Sequence, residues 1–136
     1  MSLIAIDFKE MTLQFAGAHN PMILISDGEL IEYKADKMPV GIYEINEPFK
    51  MHERTIKMGD CVYLFSDGYQ DQFGGPKNRK FLSKQLKECL LEYHSLSMIE
   101  QKELLDAKNI DWMSYVDDHG EKQHQIDDIT VWGIRL

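Results

Sequence analysis

Cysteine, long apolar runs and positive charge are all in short supply in this chain. Its only cysteines, Cys61 and Cys89, each sit singly in an apolar stretch. Neither belongs to a metal-type pair, which argues against a disulfide framework or a cysteine-zinc module. Both read as reduced core residues of a cytoplasmic protein. No apolar run approaches the roughly 18 residues a membrane-spanning helix needs. Met1-Ser2-Leu3-Ile4-Ala5-Ile6-Asp7 has neither a basic n-region nor a cleavage site, so it does not read as a signal peptide. Basic residues are outnumbered, 15 Lys and Arg against 23 Asp and Glu, for a net charge of −8. That balance disfavours nucleic acid or an anionic membrane as the main partner. His19, His52, His94, His119 and His124 form no HxxxH or HExxH pattern, so a zinc site is not expected. Gly74-Gly75-Pro76-Lys77 lacks the spacing of a phosphate-binding P-loop. Repeats, linkers and low-complexity segments are missing too.

What is present suffices for one domain with a real core: 136 residues, 43% hydrophobic and 28% charged. The chain is organised around Cys61-Val62-Tyr63-Leu64-Phe65-Ser66-Asp67-Gly68. Five apolar residues without a polar break, preceded by Met58-Gly59-Asp60, predict a strand buried on both faces. Its end delivers a carboxylate and a glycine to the rim of a sheet, and the glycine permits a sharp turn or a close approach. Upstream, Leu3–Phe8 and Met11–Phe15 predict an antiparallel hairpin. Met22–Ile25 and Leu30–Tyr33 predict a second, joined through Asp27-Gly28. Residues 34–47 read as connecting structure with a turn at Met38-Pro39-Val40-Gly41. A strand is expected from Phe49 to Ile56, and a loop over Gln72–Asn78. Phe81, Leu82, Leu86, Cys89, Leu90 and Tyr93 recur at helical spacing and predict a helix over 79–93. Ser97-Met98-Ile99-Glu100 fits a capping box opening a second helix to about residue 114. Asp117–Glu121 reads as a polar loop. Gln125–Ile134 reads as a last strand with Asp127 and Asp128 at its mouth. Strands, then two helices, then one strand give an α+β class of mostly antiparallel strands. The last strand must return to the earlier sheet, and only that return brings Asp127 near Asp67.

Asp67 and Asp127 are the best candidates for chemistry. Mg²⁺ and Mn²⁺ take oxygen ligands and keep several waters, so one or two carboxylates per ion suffice. A water on such an ion becomes more acidic and can attack a phosphate. Acidic turns are common, however, and on spacing alone Asp67-Gly68 reads more simply as a turn and Asp127-Asp128 as a solvated approach to a strand. A strand alternates its faces, so only one of Asp127 and Asp128 is expected to point inward. Ser66 and Ser97 lack the surroundings of an activated nucleophile, and Ser97 is accounted for as a cap.

Four blocks occur in one order: Phe15-Ala16-Gly17-Ala18-His19-Asn20-Pro21, Lys37-Met38-Pro39-Val40-Gly41, Ser66–Gly75, and Gln125-Ile126-Asp127-Asp128-Ile129. That order resembles the SpoIIE-type branch of the metal-dependent, type 2C-like serine/threonine protein phosphatases of bacteria, over nearly the whole chain. The resemblance implies part of an αββα sandwich with a Mn²⁺ or Mg²⁺ centre. It implies hydrolysis of phosphoserine or phosphothreonine by metal-activated water, with no phosphoenzyme. Asp67 and Asp127 would be the catalytic metal ligands, with Gly68 and Asp128 completing the metal-site set, Asp128 orienting ligands or water. The implied partner is a phosphorylated regulatory protein such as an anti-sigma-factor antagonist.

The sequence departs from the family pattern at one point. Members carry an earlier strand ending in a metal-bridging aspartate, then a GHG-like turn and a helix. Asp118-His119-Gly120 does not replace it, because it leads into the final strand. The chain therefore reads as the C-terminal part of such a domain, a weak metal binder and a poor enzyme alone, with exposed apolar surface that favours self-association. The alternatives are a non-catalytic interaction or regulatory module of the same fold, and an unrelated acidic α+β binding domain.

Overall fold

The computed structural model of the chain describes residues 1–41, 47–116 and 120–136. Its elements run β1 (Ser2–Asp7), β2 (Thr12–Gly17), β3 (Met22–Ser26), β4 (Glu29–Tyr33), β5 (His52–Thr55), β6 (Cys61–Phe65), α1 (Gly68–Asp71), β7 (Phe73–Gly74), β8 (Arg79–Lys80), α2 (Leu82–Tyr93), α3 (Met98–Ser114) and β9 (Val131–Arg135). Antiparallel strands, two long helices and a final strand are the α+β order expected. The chain divides into two compact units, one of Met1–Phe65 with Trp132–Leu136 and one of Ser66–Val131.

The first unit holds two sheets, β1-β2-β5 and β4-β3-β6-β9. In the first hairpin, Ile4 faces Phe15 and Ile6 faces Leu13. Asp7 closes its turn by accepting the backbone N–H groups of Lys9 and Glu10 at 2.8 and 3.0 Å. In the second hairpin Asp27 and Gly28 both take positive φ, 52° and 76°. Two left-handed residues in a row give the turn whose twist matches paired strands, and Asp-Gly tolerates it. Leu13, Phe15, Met22, Leu24, Ile56, Val62 and Leu136 form one buried core cluster, with Ile4, Ile6, Ile31 and Ile134 packed against it. Each such side chain contributes about 1.5–3 kcal/mol when fully buried. β6 lies between β3 and β9, and Cys61, Val62, Tyr63 and Phe65 are all buried, so both faces of the central run are covered.

One strand is shorter than its sequence suggested. β5 begins at His52, opposite Phe15 of β2, rather than at Phe49. The N–H of Lys50 is diverted to the Asp36 carboxylate at 2.7 Å, which takes the preceding residues away from a ladder. The expected connection over residues 34–47 lies partly outside the described residues, as does the expected polar loop at Asp117–Glu121, including Asp118 and His119.

In the second unit α3 starts as expected. Ser97 Oγ accepts from the N–H of Glu100, and the Glu100 carboxylate accepts from the N–H of Ser97 at 2.9 Å. Two expectations need correction. The Gln72–Asn78 loop contains β7, which pairs with β8 in a short antiparallel ribbon. For the same reason α2 begins at Leu82 and not at 79: Arg79 and Lys80 have their backbone committed to that ribbon. A four-residue helix, α1, also follows Asp67 directly.

Candidate functional site

The stretches carrying Asp67 and Asp127 are brought together inside the second unit. Ser66 makes the join. Its backbone N–H donates to the Thr130 carbonyl at 3.0 Å. Its hydroxyl donates to the Asp128 carbonyl at 2.9 Å and accepts the Thr130 N–H at 3.0 Å. One serine thus satisfies three backbone groups of the returning segment where no regular strand does so. Spending both hydroxyl roles on backbone also explains why Ser66 is no nucleophile.

Gly68 completes the contact. A Cβ at this position would overlap the Asp128 carbonyl oxygen, stand 2.9 Å from its carbon and lie 3.3 Å from Ile129 Cγ1. Only a residue without a side chain lets the two backbones approach this closely. The glycine expected to permit close approach therefore does so, and the approaching group is the backbone of the acidic pair.

The carboxylates lie on the exposed rim of this junction. Asp67 starts α1, its carbonyl accepting the Asp71 N–H at 2.9 Å, while its side chain makes no cap bond. Asp127 is fixed locally, its Oδ1 accepting the Asp128 N–H at 2.7 Å and its carbonyl accepting from the Gln125 side-chain amide at 2.8 Å. All three aspartates are exposed. The expected strand does not reach them: β9 begins at Val131, and Asp127–Thr130 run without regular pairing of their own. Strand alternation therefore does not choose between Asp127 and Asp128 here. Exposed carboxylates on a rim suit a hard divalent cation that keeps much of its hydration, so the donor chemistry fits Mg²⁺ or Mn²⁺. Among the described residues, no three His, Cys, Asp or Glu side chains gather as a full ligand set. His94 Nδ1 lies 2.6 Å from the Leu91 carbonyl at the end of α2, and His52 is a β5 residue.

Behind the rim stands a packed support. Tyr69 is buried, donates its hydroxyl to the Leu105 carbonyl at 2.7 Å, and meets Phe81 edge-on at a centroid distance of 5.1 Å. Phe81 meets Trp112 in the same way at 5.2 Å. Burial, and then the neighbouring Cys89, push the Tyr69 phenol well above the ordinary tyrosine range. Burial likewise raises the Cys89 thiol. Trp112 Nε1 donates to the Gln72 carbonyl at 3.1 Å, and the Trp112 carbonyl accepts the Gly75 N–H at 2.8 Å. Ser66 and Trp112 are the residues the sequence reading left without a role in this arrangement. A polar residue between an apolar run and Asp-Gly is a weak hint of the first. No local signal marks the second, whose partners lie some forty positions away.

Comparison with known proteins bears on what this arrangement is. The family model described as Stage II sporulation protein E (SpoIIE) matches residues 1–136. The SiaA-PP2C domain of Pseudomonas aeruginosa is similar in structure with a TM-score of 0.84 and 28% identity, over 99% of this chain and 50% of that one. The manganese-presoaked phosphatase domain of the cell fate determinant SpoIIE from Bacillus subtilis has a TM-score of 0.65 at 23% identity, over 100% of this chain and 55% of that one. The structure of the RsbU and RsbW domains of Rv1364c from Mycobacterium tuberculosis shares the fold, with a TM-score of 0.56 at 19% identity, over 76% of this chain and 31% of that one. No curated protein matches the chain. The chain spans about half the length of the first two of these structures. Its fold is that of PP2C phosphatase domains of bacterial signalling proteins. Among the described residues, no helix is long and apolar enough to cross a membrane.

Proposed function

The chain belongs to the SpoIIE family, and on that footing we propose that it carries part of the metal site of a phosphoserine/phosphothreonine protein phosphatase of bacterial signalling. The observation that supports this most is the Gly68–Asp128 backbone contact, made by the residue that follows Asp67. Asp67 and Asp127 are the catalytic metal ligands in this reading, with Gly68 and Asp128 completing the site. A Mn²⁺ or Mg²⁺ ion held there supplies an acidified water and neutralises charge on the phosphoryl oxygens.

The chain's own residues do the positioning. Ser66 holds the returning segment through the Asp128 carbonyl and both backbone groups of Thr130. Asp127 Oδ1, accepting the Asp128 N–H, fixes the rotamer of its own carboxylate and leaves Oδ2 for a cation. Tyr69, locked to Leu105, keeps α1 and hence Asp67 in place. The family supports a phosphorylated regulatory protein as substrate, of the anti-sigma-factor antagonist type, acted on in the cytoplasm. In this reading the chain is the C-terminal portion of the phosphatase domain and a weak enzyme by itself.

The test pairs two readouts on this chain and its Asp67→Asn variant: the thermal midpoint with and without Mn²⁺, and Mn²⁺-dependent hydrolysis of p-nitrophenyl phosphate. The expected result is a midpoint raised by Mn²⁺ in the parent and not in the variant, with slow hydrolysis only in the parent. Equal stabilisation of both proteins removes Asp67 from the site. Metal binding that depends on Asp67 without any hydrolysis favours a regulatory module of the same fold.

A further inference from the structure

The β7–β8 ribbon packs on Trp112 in the support behind the site, and its backbone is fixed at several points. A Cβ on Gly74 would overlap the Trp112 carbonyl, standing 2.7 Å from its carbon, and one on Gly75 would overlap the Trp112 indole. Gly75 also has a φ of +68°. Both glycines are required, one for close approach and one for its left-handed backbone as well. The Gly75 carbonyl accepts the Asn78 N–H at 3.0 Å, Asn78 being itself left-handed with φ of 41°. Beyond the tip, the Phe81 N–H donates to the Gln72 carbonyl at 2.9 Å. The tip is therefore clamped at both feet and turned by fixed backbone geometry, with Pro76 at its crest.

What this frame presents is positive charge. Lys77, Arg79 and Lys80 fall within one short turn of a chain whose net charge is −8. Lys80 is neutralised by Asp71 at 3.0 Å. Lys77 and Arg79 are exposed, and among the described residues neither has a carboxylate partner. The Lys80–Asp71 pair ties the ribbon to α1, and the Asp71 N–H is bonded in turn to the Asp67 carbonyl. Two cations without a carboxylate partner among the described residues are thus held on a ribbon that Lys80 ties to Asp71, one helical turn along α1 from Asp67.

We propose that the β7–β8 ribbon is a docking surface for an acidic segment flanking the phosphorylated residue of the protein substrate, with Lys77 and Arg79 as its specificity-determining cations. The inference rests on the phosphatase reading for what lies beside the ribbon, and it adds the substrate's charge pattern. Arg79 offers a planar fork suited to a carboxylate, and Lys77 a mobile point charge. Opposite charge steers encounter and sets register, and an acidic protein surface would otherwise repel an acidic peptide. A small ester such as p-nitrophenyl phosphate does not reach the ribbon and gains nothing from it.

The experiment measures anisotropy of fluorescein-labelled phosphoserine peptides with acidic or neutral flanks, against the parent chain and a Lys77→Glu/Arg79→Glu variant. A Lys34→Glu/Lys102→Glu variant carries the same change of net charge at exposed positions outside the ribbon. Circular dichroism confirms that each protein is folded. The expected result is that the parent prefers the acidic peptide, that the ribbon variant binds it about tenfold more weakly with a flatter salt dependence, and that the control variant keeps the preference. Equal binding of the two peptides by the parent overturns the proposal, as does equal weakening by the control variant. Asp67→Asn separates the two readings: it removes Mn²⁺ stabilisation if the metal site is right, and leaves peptide docking intact if the ribbon is right.

Discussion

Gly68 stands so close to Asp128 that the peptide carbonyl of one residue occupies the space where the other's side chain would be. Two segments sixty positions apart are thereby held in register by the absence of a methyl group. Gly68→Ala is expected to destabilise the protein by about 1–3 kcal/mol, the usual cost of forcing an extra carbon into a packed place. The φ of Gly68 is not in the left-handed region, so the cost is steric and not conformational. Urea denaturation checks the magnitude. Loss of Mn²⁺ stabilisation in the same variant, beyond what the stability change explains, shows that the acidic pair has moved.

Trp112→Phe removes one hydrogen bond, from the indole N–H to the Gln72 carbonyl, and keeps most of the ring packing on Phe81. The loss is expected to be about 1 kcal/mol. Proteolysis within the ribbon, followed by mass spectrometry, is expected to accelerate in step. An unchanged cleavage rate would count against Trp112 as the ribbon's anchor.

Alkaline pH is expected to unfold the chain through Tyr69. Its folded pKa is raised, mainly by burial, from the ordinary value of 10.0. The unfolded chain therefore loses this proton first, and stability falls as pH rises above about 10. Tyr69→Phe is expected to flatten that alkaline limb while costing about 1 kcal/mol at neutral pH for the lost bond to the Leu105 carbonyl. Denaturation midpoints at pH 8 and pH 10.5 in both proteins decide it.

Ser97→Ala is expected to cost about 1 kcal/mol by uncapping α3. The Glu100 carboxyl is held below its usual range by the Ser97 side chain and then by the Ser97 backbone N–H. Its contribution is present above the unfolded glutamate pKa and is lost as pH falls through the lowered one. The difference between parent and Ser97→Ala is therefore expected to shrink in acid, read as helicity at 222 nm across an acid titration.

That cap was legible in four consecutive letters, Ser97-Met98-Ile99-Glu100, because everything it needs is local. So was the Asp27-Gly28 turn, where two residue types that tolerate positive φ stand together between apolar runs. The burial of Cys61–Phe65 on both faces followed from an unbroken apolar run. The ribbon at Phe73–Lys80 was hidden because its glycines read as loop formers. Their actual requirement comes from Trp112, a residue in another periodic pattern. At four residues, α1 is too short to show any period. The juxtaposition of Asp67 with Asp127-Asp128 could be argued only from the return of the last strand. Its mechanism, a serine hydroxyl substituting for a ladder, had no sequence signature.

The bonds between Ser66 and Thr130 have a consequence for the length of chain between them. They close a loop, and the entropy of closing a flexible loop grows only logarithmically, by about 0.6 kcal/mol for each doubling of its length. Segments inside the loop can therefore be lengthened or trimmed at little thermodynamic cost, provided the two pinned ends and the Gly68 contact survive. The rim that carries the acids is in this sense insensitive to the length of the segments strung between its two ends, so loops and the ribbon tip can vary in length while the rim, braced by the Tyr69–Leu105 bond, stays fixed.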